Sequence, residues 1–443
     1  MFEVRSYLLD ISRDRVPTFR TLKEIVDLLA RCDYNQFQLY MEHTFRYPGH
    51  ETVWEESDAL SPEEIKKLGV YCEMNGIELV PCQNTFGHME RWLVHPEYNG
   101  LAKFPDGGAV TPWGAIKKFP TTLDPANPGS IKLVEEILAS LLPCFKSPLA
   151  NICCDETFEI SDPGEYLAFL LKICDVTRRL GKRPMFWGDI VLKHPELIER
   201  LPKDLIALDW GYEGNHPFMR EAEAFKRSGL DFYVCPGTSS WRSLGGRVEN
   251  MRENLEAAER AGRLFGAKGY MVTDWGDEGH WQPLACSLPG IILGGNFAAS
   301  GAKAAKMDLE LELNRVMDAP LGGLLLKLGT LYLRGGALKA NCSELFNILR
   351  NDHGYSRHPG LTDAVLDEIS GIAHGVKIAA GRYADDGNIW AREIVYMADL
   401  IDCACHRRDE SRLRALRAEH GQLWKLRSRE GGRADSLMKL PRF

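Results

Sequence analysis

From residue 1 to about 301 the chain alternates short apolar runs with stretches of helical spacing. Val4–Asp10 reads as a strand, and 21–32 then places Leu22, Ile25, Val26 and Leu29 on one helical face. Segment 35–42 is the second predicted strand, and Ser61-Pro62 opens a helix with a serine N-cap and proline in the first turn. The third strand, 77–82, is followed by a long insertion reaching about residue 128. Helix 130–142 leads to strand 149–154, helix 164–180 to strand 183–187, and a shorter helix at 195–201 to strand 205–210. Helix 217–228, strand 231–235, helix 248–265, strand 269–274 and a Gly-rich apolar helix at 284–300 complete the series. Eight such units predict an α/β fold, a (β/α)8 TIM barrel over 1–301. An open doubly wound sheet would place a Gly-rich phosphate turn after the first strand, and none follows Asp10. From 302 to 443 the spacing is helical, broken at Pro320, Gly335-Gly336 and His358-Pro359-Gly360. An all-α C-terminal domain packed on the barrel is expected there, and it could supply a homodimer face.

Composition narrows the classes. A formal charge of −8 and the lack of a basic run interleaved with aromatics argue against a nucleic-acid partner. No apolar stretch approaches spanning length and no leader-like segment opens the chain, so no membrane partner and a cytoplasmic location are expected. The 12 cysteines are scattered through apolar segments, which suits buried free thiols in a reducing compartment. Cys403, Cys405 and His406 lie in a helical pattern with no second cluster, so no metal or other cofactor is predicted.

The strand ends carry the chemistry. The fourth strand runs into adjacent carboxylates, Asp155 and Glu156, where a barrel keeps its reacting groups. The third leads to Gln83, Asn84 and His88, the second to Glu42-His43, and the first carries Arg5 and ends at Asp10. The fifth to eighth end near Trp187 and Asp189, Trp210 and Tyr212, Trp241, and Trp275 with Asp277 and Glu278. Four tryptophans at successive strand ends exceed what barrel filling needs, since interiors favour branched aliphatics. Rigid aromatics instead wall a cup for a small carbohydrate.

Several of these segments resemble glycoside hydrolase family 20, the β-N-acetylhexosaminidases. Arg5-Ser-Tyr-Leu-Leu-Asp10-Ile-Ser-Arg13 resembles the family's first strand, and Pro81-Cys-Gln-Asn-Thr-Phe-Gly87-His88 its Pro…Gly-His element. Asp155-Glu156 is similar to its signature acid pair and Phe186-Trp187-Gly188-Asp189 to its Trp-x-Asp strand. The resemblance implies an exo-acting, retaining enzyme acting on a terminal N-acetylhexosamine, whose own acetamido oxygen is the nucleophile. It implies Glu156 as general acid/base, with a pKa raised by apolar walls and a neighbouring anion. Asp155 would orient the acetamido group, and His88 would belong to a hydrogen-bonded relay. Arg5 would hold sugar hydroxyls; Trp187, Trp210, Trp241 and Trp275 would wall the sugar, with Tyr212 a candidate for the acetamido oxygen. The chain departs from the family in Glu42-His43 after the second strand. It departs again in Trp275-Gly276-Asp277-Glu278 at the eighth, which favours N-acetylgalactosamine over N-acetylglucosamine. Two other classes compete. A metal-dependent hydrolase or isomerase could use His88, His280, Asp274 and Asp277, but the first strand lacks His-x-His. A non-catalytic sugar binder would have no use for both acids.

Overall fold

The computed structural model describes residues 1–443 except 14, 113, 351–355, 407–409 and 442–443; three positions of the charged run 407–410 therefore lie outside the described residues. Eight parallel strands close into a barrel in chain order: β1 (Val4–Asp10), β2 (Gln36–Met41), β3 (Glu78–Gln83), β4 (Leu149–Asn151), β5 (Arg183–Trp187), β6 (Ile206–Trp210), β7 (Asp231–Cys235) and β8 (Gly269–Asp274). β8 pairs back onto β1 with Leu9 opposite Asp274, and β1 sets Asp10 opposite Tyr40. One rim therefore gathers the C-terminal ends of all eight strands.

Alternation decides what faces inward. Leu8, Val80, Met185, Leu208 and Met271 fill the barrel, while Leu9, Phe37, Phe186 and Val234 pack outward beneath helices. The covering helices are α1 (Phe19–Arg31), α2 (Pro62–Met74), α3 (Pro128–Leu141), α4 (Pro163–Arg179), the short α5 (Asp189–Lys193), α6 (Phe218–Ser228), α7 (Val248–Phe265) and α8 (Leu288–Ser300). α2 starts with a reciprocal capping box in which Ser61 and Glu64 satisfy each other's backbone N–H. Against the expectation that no apolar stretch approaches spanning length, Leu284–Lys306, around α8, is long and apolar enough to cross a membrane; it is largely buried, as the core helix covering β1 and β8.

Two expectations shift. The predicted fourth strand continues to residue 154, but its ladder stops at Asn151, because Cys153 and Cys154 adopt positive φ of 59° and 69° and cannot extend a strand. The 195–201 helix is a 3-10 turn, Pro195–Arg200, following α5.

The C-terminal region is helical: α9 (Leu309–Met317), α10 (Gly322–Leu328), α11 (Glu344–Arg350), α12 (Asp363–Asp385), α13 (Ile389–Cys405), α14 (Glu410–Arg427) and α15 (Arg433–Lys439). A two-stranded ribbon, Leu338–Lys339 with Cys342–Ser343, interrupts it, so strand structure does not end with the barrel. A buried ion pair locks it down. Arg427 Nε meets Glu393 Oε1 at 2.7 Å, its Nη1 reaches Glu24 of α1 at 2.8 Å, and Ala285 N–H donates to Glu393 Oε2 at 2.8 Å. Glu393 is 0% exposed, so only this full set of partners makes its burial tolerable. α15 returns to the catalytic rim, where Ser436 donates to the Gly279 carbonyl.

Candidate active site

The chain beyond β4 turns back on itself sharply. Cys153, Cys154 and Glu156 (φ 49°) all occupy the left-handed region, which side chains other than Gly enter at a cost. Neighbouring elements hold the turn. Thr85 Oγ1 donates to Ile152 O at 2.6 Å, Trp187 N–H to Cys153 O at 2.9 Å and Tyr166 OH to Cys154 O at 3.0 Å. The loop after β3 crosses it so closely that a Cβ on Gly87 would sit 2.3 Å from the Asp155 carbonyl. Only glycine fits that crossing, and the crossing delivers His88.

His88 Nε2 stands 3.4 Å from Asp155 Oδ2 and 3.3 Å from Glu156 Oε2. Its Nδ1 faces Arg13 Nη2 at 3.3 Å and Glu42 Oε1 at 4.0 Å. Burial alone would lower the His88 pKa, but Asp155 and Glu156 outweigh it and hold the imidazole well above its ordinary range. Glu42, which accepts from Tyr40 OH at 2.9 Å, is pushed up by burial against the pull of Arg13 and His88.

Glu156 departs from expectation. Burial pushes its pKa up, but the His88 contact, followed by Arg13 and Lys117, wins, and the carboxyl is held below its ordinary range. The acid raised beside the pair is Asp189, pushed to about 7 by burial and then by Asp155. Its Oδ2 accepts from Glu156 N–H at 3.4 Å, while its Oδ1 is buried without a partner.

Arg5 is not part of the site. It sits near the start of β1, and its guanidinium donates to the Phe2 and Asp33 carbonyls at the opposite end of the barrel. Arg13, eight residues later in the same motif, is the arginine in the cup. It meets Asp10 at 3.2 Å, Asp277 at 3.3 Å and Glu42 at 3.7 Å, and its guanidinium lies over Tyr40 and Trp275. Asp277 is pushed up by burial in spite of Arg13. Glu278 also lines the cup and pairs with Arg350 of α11 at 2.7 Å.

The aromatic side chains gather opposite this charged group. Trp187 and Trp275 have centroids 6.1 Å apart, Trp210 stacks on Tyr212 at 5.2 Å, and Trp241 meets Tyr212 edge-on at 5.0 Å. Trp275 Nε1 donates to Tyr212 OH at 2.9 Å, and Trp241 Nε1 to Asn341 of the C-terminal region at 2.8 Å. Trp187 Nε1 and Trp210 Nε1 are buried without hydrogen-bond partners. A cavity of about 710 Å³ opens outside Arg13, Glu42, His88, Glu156 and Asp277. Asp274 cannot serve a metal here, since Tyr7 OH, Thr238 Oγ1 and Ser240 Oγ all donate to it at 2.7 Å.

Arg13, Glu42, Asp189 and Asn341 are the site residues that the sequence reading did not assign. Arg13 was within reach of it, because the five steps from Arg5 to Asp10 at ~3.3 Å each put Arg5 roughly 16 Å below the rim. Asn341 had no local signal.

The catalytic-domain pattern of glycosyl hydrolase family 20 matches residues 2–162. Hexosaminidase D of Bos taurus is 24% identical over 299 residues, covering 60% of this chain and 83% of that protein. Hexosaminidase D of Homo sapiens is 23% identical over 321 residues, covering 65% of this chain and 63% of that one. The crystal structure of the Flavobacterium johnsoniae chitobiase superposes with a TM-score of 0.55 at 16% identity, over 99% of this chain and 78% of that one. A Vibrio harveyi GH20 exo-β-N-acetylglucosaminidase gives 0.52 at 16%, over 72% and 58%. The chain thus spans less than two thirds of the human and Vibrio proteins. These matches bear out the family resemblance in sequence and in barrel fold.

Proposed function

We propose, from the premise that the chain is a family 20-like glycoside hydrolase, that it is an exo-acting retaining β-N-acetylhexosaminidase which removes terminal β-linked N-acetylgalactosamine in preference to N-acetylglucosamine. One observation carries this reading: Asp155 and Glu156 share one histidine nitrogen at a barrel rim where Trp187, Trp210, Trp275 and Tyr212 pack together. In the first step the 2-acetamido oxygen attacks C1, the C1–O bond to the leaving group breaks, and Glu156 gives its proton to the departing oxygen. Asp155 receives the acetamido N–H and offsets the positive charge of the oxazolinium ring. Because Trp275 donates to the Tyr212 oxygen, the Tyr212 proton is available to the acetamido carbonyl. Water then attacks C1 while Glu156 takes back a proton, which restores the amide with overall retention.

A neutral Glu156 is required at the first step, and His88 works against it in the empty cup. A sugar seated on Asp155 competes for the contact with His88, and loss of that contact favours the protonated acid. Arg13 and Asp277 reach the same side of the cup and are assigned the 3- and 4-hydroxyls. Twelve free thiols suit a reducing compartment, the cytoplasm.

The test uses p-nitrophenyl glycosides. Release is expected from the 2-acetamido β-galactoside, more slowly from the 2-acetamido β-glucoside, and not from the plain β-galactoside. Asp155→Asn should lower kcat/KM on the first by about 10²–10³-fold. Equal turnover of the plain glycoside would sink the proposal.

A further inference from the structure

Behind the aromatic wall, on the far side of β6, lies a second group of ionisable side chains. Leu208 and Trp210 face the barrel interior, so Asp209 between them points outward toward α6. Asp209 is 0% exposed, and neither of its carboxylate oxygens has a hydrogen-bond partner. A buried carboxylate left this way is costly, so its position calls for a counter-charge. Two side chains converge on it. Glu221 comes from the first turn of α6, and His216 from the connection ahead of it. One donor atom from each of the three lies within 4.8 Å of the other two.

Asp209 and Glu221 are two acids facing each other, which takes a shared proton or a cation between them; burial, and then Glu221, hold the Asp209 carboxyl well above its ordinary range. His216 Nε2 approaches Glu221 Oε2 to 2.9 Å; burial pushes the Glu221 carboxyl up, but this contact and Arg220 hold it below its ordinary range. Arg220 engages the other oxygen, Glu221 Oε1, at 3.0 Å, which leaves Oε2 turned inward. The backbone is shaped around the imidazole as well. A Cβ on Gly211 would lie 2.2 Å from the His216 ring, so only glycine lets the histidine lie over the β6–α6 connection.

We propose that Asp209, His216 and Glu221 form a binding site for a divalent first-row transition cation, separate from the catalytic cup. An imidazole nitrogen with two carboxylates suits zinc, manganese or iron, whereas calcium and magnesium prefer oxygen alone. Neighbouring ligands on one face of such an ion stand about 3 Å apart, which the His216–Glu221 spacing already meets. Two donors about 2.1 Å from one ion lie at most about 4.2 Å apart, so side-chain rotation alone suffices to bring all three onto it. Two carboxylates cancel the ion's charge, and the positions they leave open fall to water. Bound there, the cation ties β6 to α6 and fixes the loop between them, which follows Trp210 and carries Tyr212.

Zinc is the probe. Tag-free full-length chain is stripped with EDTA, dialysed and titrated with zinc chloride by calorimetry, alongside Asp209→Asn and His216→Gln. One equivalent should bind the parent at micromolar or tighter Kd, with at least tenfold loss in each variant. Zinc at a hundredfold excess over Kd should raise the parent's Tm by about 3 °C and leave the variants unmoved. His216 is half-buried, so His216→Gln remains informative even if Asp209→Asn folds poorly. Binding that persists undiminished in the folded variants would overturn the site. So would a parent that takes up no zinc below about 100 μM, and the cluster would then be an Asp209–Glu221 pair sharing a proton. None of these readouts requires hydrolysis, so failure here leaves the proposed activity untouched.

Discussion

The rim of this barrel divides into two arcs of different character. A charged arc runs from β8 through β1 to β4 and holds Asp277, Arg13, Glu42, His88, Asp155 and Glu156, linked at 3.2–4.0 Å. An aromatic arc runs along β5 to β8 and holds Trp187, Trp210, Tyr212, Trp241 and Trp275 in ring contact. The family 20 pattern covers residues 2–162, so it ends just past Glu156 and takes in the charged arc from β1 to β4 but none of the aromatic one. Proton transfer and ion pairing demand particular atoms at particular separations. A sugar face asks only for a flat apolar surface, which many placements of tryptophan supply. The chemistry is thus written in a more recognisable hand than the binding surface.

Four measurements would break or sharpen that division. The largest effect is expected from Glu156→Gln, which keeps shape and removes the proton; kcat/KM on the 2-acetamido β-galactoside should fall about 10²–10⁴-fold with KM little changed. Asp189→Asn probes the seam between the arcs through stability. The folded pKa of about 7 lies above the ordinary carboxylate value, so the stabilisation is full below about pH 4 and is lost as pH rises toward 7. Asn cannot titrate, and urea unfolding of the variant against the parent should show a gain on the order of 2–4 kcal/mol on going from pH 4 to 8. His88→Gln removes the group that depresses Glu156. The basic limb of the kcat/KM profile should therefore move to higher pH, with roughly tenfold loss at the optimum. A limb that stays in place would assign the lowered acid to Arg13 and Lys117 instead. Trp210→Ala should raise KM about five- to tenfold and leave kcat nearly unchanged, as expected for about 1 kcal/mol of stacking. A drop in kcat of the same size would place that ring in the charged arc's work.

Much of this was legible along the chain. The strand order, the acid pair after β4 and the four rim tryptophans all follow from apolar runs ending in polar or aromatic residues. What escaped depends on where a residue falls within its element or on contacts distant in sequence. Arg5 and Arg13 belong to one motif, yet the length of β1 separates them, and only the later one reaches the rim. The direction of the Glu156 shift could not be read from an adjacent Asp, because the deciding neighbours, His88 and Arg13, arrive from β3 and β1. The ends of β4 and of the 195–201 segment moved for local reasons, positive φ in one and a 3-10 turn in the other. Asn341 and Arg350 come to the rim from the helical region, where no periodicity marks a residue as facing a distant cup.

The left-handed backbone at Glu156 has an evolutionary consequence. A non-glycine residue in that conformation costs on the order of 1–3 kcal/mol, and the Glu156 side chain is only half-buried. Glycine at 156 would release that backbone penalty but forfeit the carboxylate's attraction to His88 and Arg13. Laboratory selection of this chain for heat resistance, without a check on turnover, would therefore weigh the turn against the ion pair, and any descendant with glycine there would be inert.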